Sequence, residues 1–294
     1  MVEIENQSLK AAINPMGAEL SSLKVKNTEA SELIWQRDPV FWPKSAPILF
    51  PIVGSLLENT YILDGKSYHL EKHGLVRTRP WSVRQHGENV AEFKINSDDD
   101  TFERYPFHWQ LNAVFKLTEK ELFVGYRICN RGPEPMLFSI GSHPAFALNF
   151  GPGGISNYFI RFVELGNHPK CYKHTGKGLS DETFDLDWVE GTLQLNENLF
   201  DEDALIFKNI GIQHLELGNR ASDRRILLST GGAPDLGIWA KPGAPYVCIE
   251  PWYGFDDPES HDQKLENKPG IIELGEHGTF GCYYRIEPNT AWFG

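Results

Sequence analysis

Turn signals recur along this chain at intervals too short for helices of ordinary length. Thr60 to Leu63 and Lys66 to Leu70 flank Asp64-Gly65, a dipeptide suited to the positive φ angles of a two-residue hairpin loop. Ser8 to Ile13 and Glu19 to Val25 flank the turn cluster Asn14-Pro15-Met16-Gly17. Trp81 to Gln85 and Val90 to Ile95 flank His86-Gly87-Glu88-Asn89, and Trp109 to Leu117 and Leu122 to Cys129 flank Thr118-Glu119-Lys120-Glu121. Further β-type runs are Ala204 to Phe207, Ile212 to Leu217, Ile226 to Ser229, Leu236 to Trp239, Tyr246 to Glu250 and Thr279 to Glu287. The order predicts an antiparallel meander rather than alternating β and α units. Asn149 to Ser156 and Gly166 to Asp187 read as long loops, and helix is expected only near Lys44 to Phe50 and Asp257 to Gln263. With no repeat, low-complexity segment or linker, the expectation is one all-β domain over residues 1–294, although a prior of ~150 residues per domain would suggest two.

Charge narrows the partners. A net charge of -12 and no clustered basic face argue against nucleic acid and anionic membranes. No early apolar run follows Met1 and no stretch approaches the ~20 apolar residues of a membrane span, so a cytoplasmic protein is expected. Cys129, Cys171, Cys248 and Cys282 are too scattered to suggest a disulfide framework. Eight tryptophans are consistent with stacking on the C–H face of a sugar, and also with an aromatic β core.

Three stretches carry residues fit for proton transfer. Ser139-Ile140-Gly141-Ser142-His143-Pro144-Ala145-Phe146 holds a histidine at a strand end, stiffened by the following proline. Glu71-Lys72-His73-Gly74-Leu75-Val76-Arg77 presents a second histidine at a bend, with an arginine four residues on. Tyr246-Val247-Cys248-Ile249-Glu250-Pro251-Trp252-Tyr253-Gly254 ends an apolar strand on a carboxylate. Each has a plain structural reading: a carbonyl-satisfying histidine, a turn, or a buried ion pair. Together, His143, His73 and Glu250 suit reversible proton transfer on a neutral substrate with no cofactor.

Those stretches, with Ala46-Pro47-Ile48-Leu49-Phe50-Pro51-Ile52-Val53-Gly54 and Asp203-Ala204-Leu205-Ile206, resemble the aldose 1-epimerase (galactose mutarotase) superfamily, in particular its LacX-type branch. The resemblance runs from about residue 10 to residue 287 and implies a single-domain β-supersandwich that interconverts the α and β anomers of an aldose. It implies Glu250 as the base on the C1 hydroxyl and His143 as the acid on the ring oxygen. His73 is implied as the second histidine, polarising near the ring oxygen, with Asp203, within Asp201-Glu202-Asp203, on a sugar hydroxyl. Arg77 matches an arginine of the hexose-phosphate epimerase branch. Two positions depart from relatives: Ser55 stands where many carry arginine, and Trp252 where galactose mutarotases carry glutamine. With serine at position 55, the sugar or phosphate contact expected there is either missing or supplied by another group, Arg77 or Lys44.

The expected partner is therefore a free or phosphorylated hexose, acted on by a monomer or weak homodimer. The alternatives are a hexose-6-phosphate 1-epimerase and a non-catalytic sugar-binding or sensing protein on the same fold. His168-Pro169-Lys170-Cys171-Tyr172-Lys173-His174 offers zinc two histidines and a thiol without an evident fourth ligand, so no metal is expected. Gly151-Pro152-Gly153-Gly154 lacks the Gly-Lys-Ser/Thr ending of a phosphate loop and reads as plain loop.

Overall fold

The computed structural model describes residues 1–29, 32–85, 87–163 and 169–293; His86 of the second hairpin loop and His168 lie outside them. The hairpins form as their turn chemistry dictates. Asp64 and Gly65 take φ of 49° and 74°, and Thr60–Leu63 pairs with Lys66–His69 across them. Glu121–Asn130 pairs in full with Trp109–Thr118. Its residues alternate between core and outer face, burying Leu122, Val124, Tyr126 and Ile128. Each such side chain removed from water contributes about 1.5–3 kcal/mol.

Two large antiparallel sheets result, one of ten strands and one of eight. The ten-stranded sheet has Glu121–Asn130 and Thr279–Pro288 near its middle. The eight-stranded sheet is centred on Tyr246–Tyr253, flanked by Asp235–Trp239 on one side and Ile140–Ser142 on the other. One apolar cluster takes Val124 and Ile128 from the first sheet and Val247 and Ile249 from the second, so the two faces pack as a sandwich. A second cluster, with Leu49, Val53, Leu179, Ile206, Trp252 and Phe255, forms on the eight-stranded sheet. That sheet is thus apolar in two separate clusters. A three-stranded sheet, Val2–Glu5, Leu9–Asn14 and Glu19–Val25, completes the N-terminal part.

Several local expectations are corrected. Lys44 to Phe50 is not helical: Ile48–Leu49 joins the eight-stranded sheet beside Ile140–Ser142, because Pro47 and Pro51 bracket the segment and favour extended backbone. Asp257 to Gln263 is irregular because its backbone is committed elsewhere. The Asp257 N–H donates to the Ser55 carbonyl and its own carbonyl accepts from the Leu179 N–H. The helical turn falls later, at Leu265–Asn267. Within the expected loop Gly166 to Asp187, Cys171–His174 and Leu179–Phe184 pair as outer strands of the eight-stranded sheet. A short helix beyond those expected, Asp99–Arg104, is capped reciprocally by Asp98 and Thr101. No helix among the described residues is long and apolar enough to cross a membrane.

Candidate active site

Glu250 is placed by strand register. Gly141 pairs with Trp252 and Ala145 with Cys248, so the register on either side of the intervening gap is the same. That register sets His143 opposite Glu250. The ladder is interrupted there because Pro144 and Pro251 have no N–H to donate. The Pro144 carbonyl still accepts from the Ile249 N–H at 3.2 Å, keeping the strands together. Glu250 therefore lies inside a strand, Tyr246–Tyr253, and not at its end as the sequence suggested. His143 Nε2 stands 3.3 Å from Glu250 Oε2.

On the other flank Glu250 faces Gly237, which has no side chain to crowd it. The Trp252 indole covers that space: a Cβ at Gly237 would lie 2.5 Å from its ring, and one at Gly141 would lie 2.7 Å away. We expect Gly237→Ala to cost about 1–3 kcal/mol by displacing the indole, and to slow turnover with it. Urea unfolding and tryptophan fluorescence check this; an unchanged midpoint would mean that the ring moves freely.

His73 sits in a turn with φ of 67°, followed by Gly74, where a Cβ would meet the Phe50 carbonyl oxygen at 2.3 Å. Its backbone N–H donates to the Gly54 carbonyl at 2.9 Å, and its Nδ1 accepts from the Gly54 N–H at 3.1 Å. With Nδ1 occupied as an acceptor, the neutral ring carries its proton on Nε2 and offers it as a donor. Burial, reinforced by His143 and Lys72, keeps that ring neutral by lowering its pKa well below the ordinary value. The two imidazoles meet edge to face at 5.6 Å, and His143 stacks on Trp42 at 4.8 Å.

These residues share a cleft of about 240 Å³ with Lys72, Arg77, His174, Asp203, Trp239 and Asp256. Burial raises the Glu250 carboxyl well above its ordinary value, against the charge of Lys72 and the neighbouring Trp252 indole. Burial also lowers His143 to about 3. Both shifts disfavour the charged forms, so burial favours the pair as a carboxylic acid beside a neutral imidazole. Beyond His143 Nε2 and the Trp252 indole, Glu250 has the cleft itself in front of it, where a ligand's hydroxyls would meet it.

Of the residues singled out in the sequence, Glu250, His143, His73, Arg77, Asp203 and Trp252 all line this cleft. Ser55 does not. It lines an adjoining hollow, and its N–H donates to Asp256 Oδ1 at 2.8 Å. Lys44 is bound to the buried Glu19 at 3.6 Å and does not line the cleft. Sequence reasoning missed Lys72, although it adjoins His73, and it missed Asp256, Trp42 and Trp239. Asp256 lies over Gly54, where a Cβ would be 2.3 Å from its carboxylate. Burial would raise Asp256, but His174, Lys72 and the Ser55 N–H outweigh it and hold the carboxyl below its ordinary value. Asp256 in turn raises His174, whose Nε2 is 3.7 Å away.

Among the described residues, the group able to hold a metal is His143, Cys248 and Glu250, with ligand atoms within 4.8 Å of one another. Burial, with the Glu250 charge, pushes the Cys248 thiol well above its ordinary value, so a metal would have to displace its proton. In the run considered for zinc, Cys171 is buried in the main core while His174 turns to Asp256 and Asp203.

The cleft, lined by histidines, buried carboxyls and tryptophan rings, lies on a β-sandwich, and residues 1–261 of the chain match the aldose 1-epimerase family model. The chain belongs to the aldose 1-epimerase family. Within it, the chain is similar to protein LacX of Lactococcus lactis subsp. lactis, at 28% identity over 284 residues covering 93% of this chain and 94% of that protein. A galactose mutarotase related enzyme from Lactobacillus acidophilus superposes with a TM-score of 0.92 at 28% identity, covering 99% of this chain and 97% of that one. A galactose mutarotase-like protein from Lactobacillus casei gives 0.91 at 27%, covering 98% and 100%.

Proposed function

We propose that this protein is a cofactor-independent aldose 1-epimerase that interconverts the α and β anomers of a hexose, acting in the cytoplasm as one domain over residues 1–294 and as a monomer or weak homodimer. The observation that carries the reading is the 3.3 Å approach of His143 Nε2 to Glu250 Oε2 at the floor of the cleft. The reaction needs one proton to leave the C1 hydroxyl and another to reach the ring oxygen, and a carboxylic acid beside a neutral imidazole supplies one proton and one vacant lone pair. Passing that proton from Glu250 to His143 gives carboxylate and imidazolium with no change in net charge. Sugar hydroxyls entering the cleft favour that form by hydrogen bonding to the charges. Glu250 then takes the C1 hydroxyl proton as His143 protonates the ring oxygen. The ring opens to the aldehyde, the C1–C2 bond rotates, and the steps reverse. His73, fixed as an Nε2–H donor, polarises an adjacent oxygen; Asp203 and Trp252 hold the ring.

Anomer exchange by NMR on glucose, galactose and their 6-phosphates tests this. Acceleration over buffer that Glu250→Gln and His143→Asn both abolish supports it. A sugar that binds while exchange stays at the buffer rate points to the binding-protein alternative.

A second reading, a hexose 6-phosphate as substrate, is favoured by two cations in the cleft, Lys72 and Arg77, neither in an ion pair among the described residues. We expect Lys72→Met to raise KM for the 6-phosphate more than 10-fold relative to the free hexose, the scale of one charge-assisted hydrogen bond. Equal changes for both substrates would leave the free hexose as the better candidate.

A further inference from the structure

Cys248 has no task in proton transfer at C1, yet it stands beside the two groups that do. It lies two residues before Glu250 on Tyr246–Tyr253, so both side chains leave the same face of the sheet. Its cross-strand neighbours are Ala145, which is small, and Trp239. Cys248, His143 and Glu250 are all buried. One ligand atom from each lies within 4.8 Å of the other two.

That triangle has the dimensions of three corners of a tetrahedral coordination sphere. Nitrogen and oxygen atoms bonded to a tetrahedral ion at about 2.0–2.1 Å stand about 3.3–3.4 Å apart. His143 Nε2 and Glu250 Oε2 stand 3.3 Å apart. Three atoms no more than 4.8 Å apart share a point within about 2.8 Å of each, which is 4.8 Å divided by √3. Bonds of about 2.0–2.3 Å to nitrogen, oxygen and sulfur then need each side chain to close in by less than about 1 Å. The donor set selects the ion. Thiolate and imidazole favour zinc and its thiophilic neighbours, whereas magnesium and calcium take oxygen ligands. Charge balances as well. The thiol and the carboxyl each release a proton to solvent, and a dication held by one thiolate, one carboxylate and a neutral imidazole leaves the buried site with no net charge. The net charge of -12 on the chain draws cations towards it.

We propose that His143, Cys248 and Glu250 form a binding site for zinc or a similar thiophilic divalent ion, whose occupancy reversibly shuts off anomer exchange. His143 and Glu250 line the cleft, so the ion enters from there. It acts as an inhibitor because it takes the imidazole lone pair and the carboxylate that the reaction uses. The site stands on the ligand geometry alone; the inhibition rests on the epimerase reading of the cleft.

Cobalt(II) is the probe, because a bound thiolate gives it a near-ultraviolet charge-transfer band that nitrogen and oxygen ligands do not. Metal-free protein titrated with cobalt chloride should develop that band at one ion per chain, and zinc chloride should bleach it. In parallel, zinc should slow anomer exchange by about 10²-fold or more, the usual contribution of a positioned acid/base group. EDTA should restore the rate, and magnesium should leave it alone. Cys248→Ala should lose both the band and the inhibition while keeping measurable exchange. Cys248→Ser, closer in volume, serves where alanine disturbs the strand, and circular dichroism checks folding. Wild type without the band, or a band that persists in both variants, would overturn the site. A band lost in both variants with exchange indifferent to zinc would overturn the inhibition. If the band behaves as expected but metal-free protein never accelerates exchange, the epimerase reading fails and the metal site stands.

Discussion

Glu250→Gln should slow anomer exchange by about 10²–10⁴-fold, the usual contribution of one positioned acid/base group, while leaving sugar binding measurable. Glutamine keeps the shape of the side chain and cannot gain or lose a proton in the working range. The same substitution should stabilise the fold at neutral and alkaline pH. Burial raises the Glu250 carboxyl above its value in the unfolded chain. Above about pH 4.5 the unfolded chain therefore holds fewer protons than the native one, and wild-type stability falls with rising pH until the native carboxyl ionises. That loss is at most about 1.4 kcal/mol per pH unit, and glutamine removes it. His143 acts in the opposite direction: lowered to about 3, it costs stability as pH falls from about 6.5 towards 3. Chemical denaturation from pH 4 to 9 checks both signs. A variant no more stable than wild type at pH 8 would mean that burial does not raise the Glu250 carboxyl above its unfolded value.

Lys268→Met should destabilise the protein by about 3–5 kcal/mol, the cost of leaving a buried charge without its partner. Lys268 Nζ lies 2.7 Å from Asp257 Oδ1, both side chains almost fully enclosed, and also donates to the Phe255 carbonyl at 2.7 Å. Asp257 organises the wall next to the cleft. Its Oδ2 accepts from the Leu57 N–H at 3.1 Å, and its backbone bonds Ser55 and Leu179. Adding Asp257→Leu removes the stranded charge and should recover part of the loss. About 1–3 kcal/mol remains, because Leu57 loses its acceptor. Urea midpoints for the single and double variants decide the matter; a single variant within about 1 kcal/mol of wild type on this scale would show that Asp257 is compensated without Lys268, by water or by His261, whose Nδ1 is 3.3 Å from Asp257 Oδ2.

Legibility in the sequence followed locality. Leu9–Asn14 and the Asp64-Gly65 hairpin were readable because turn chemistry and alternation are properties of neighbouring residues. Leu179–Phe184 was not, since as part of an outer strand pair it keeps only Leu179 buried and its other side chains carry no alternation. Asp99–Arg104 hid behind a cap that uses threonine at the third helical position in place of the more familiar glutamate. In the cleft, Glu250, His143 and His73 stood out because proline or glycine marks each. Asp256, Lys72 and Trp42 come together only through long-range packing, and nothing beside them in the chain says so. Ser55 was not legible as it stands, because its link to the cleft is a backbone N–H on Asp256 and not a side chain.

The gap in the ladder between Gly141 and Ala145 separates two properties that enzymes commonly have to tune together. The spacing of His143 and Glu250 is inherited from the pairing of two strands. Lys72 and Asp203 belong to turns and connecting segments. Reactivity and appetite are therefore inscribed in different parts of the backbone. On the proposed function, a change at the rim would alter which sugar is accepted without moving His143 against Glu250, which makes this scaffold a forgiving starting point for altering what it accepts.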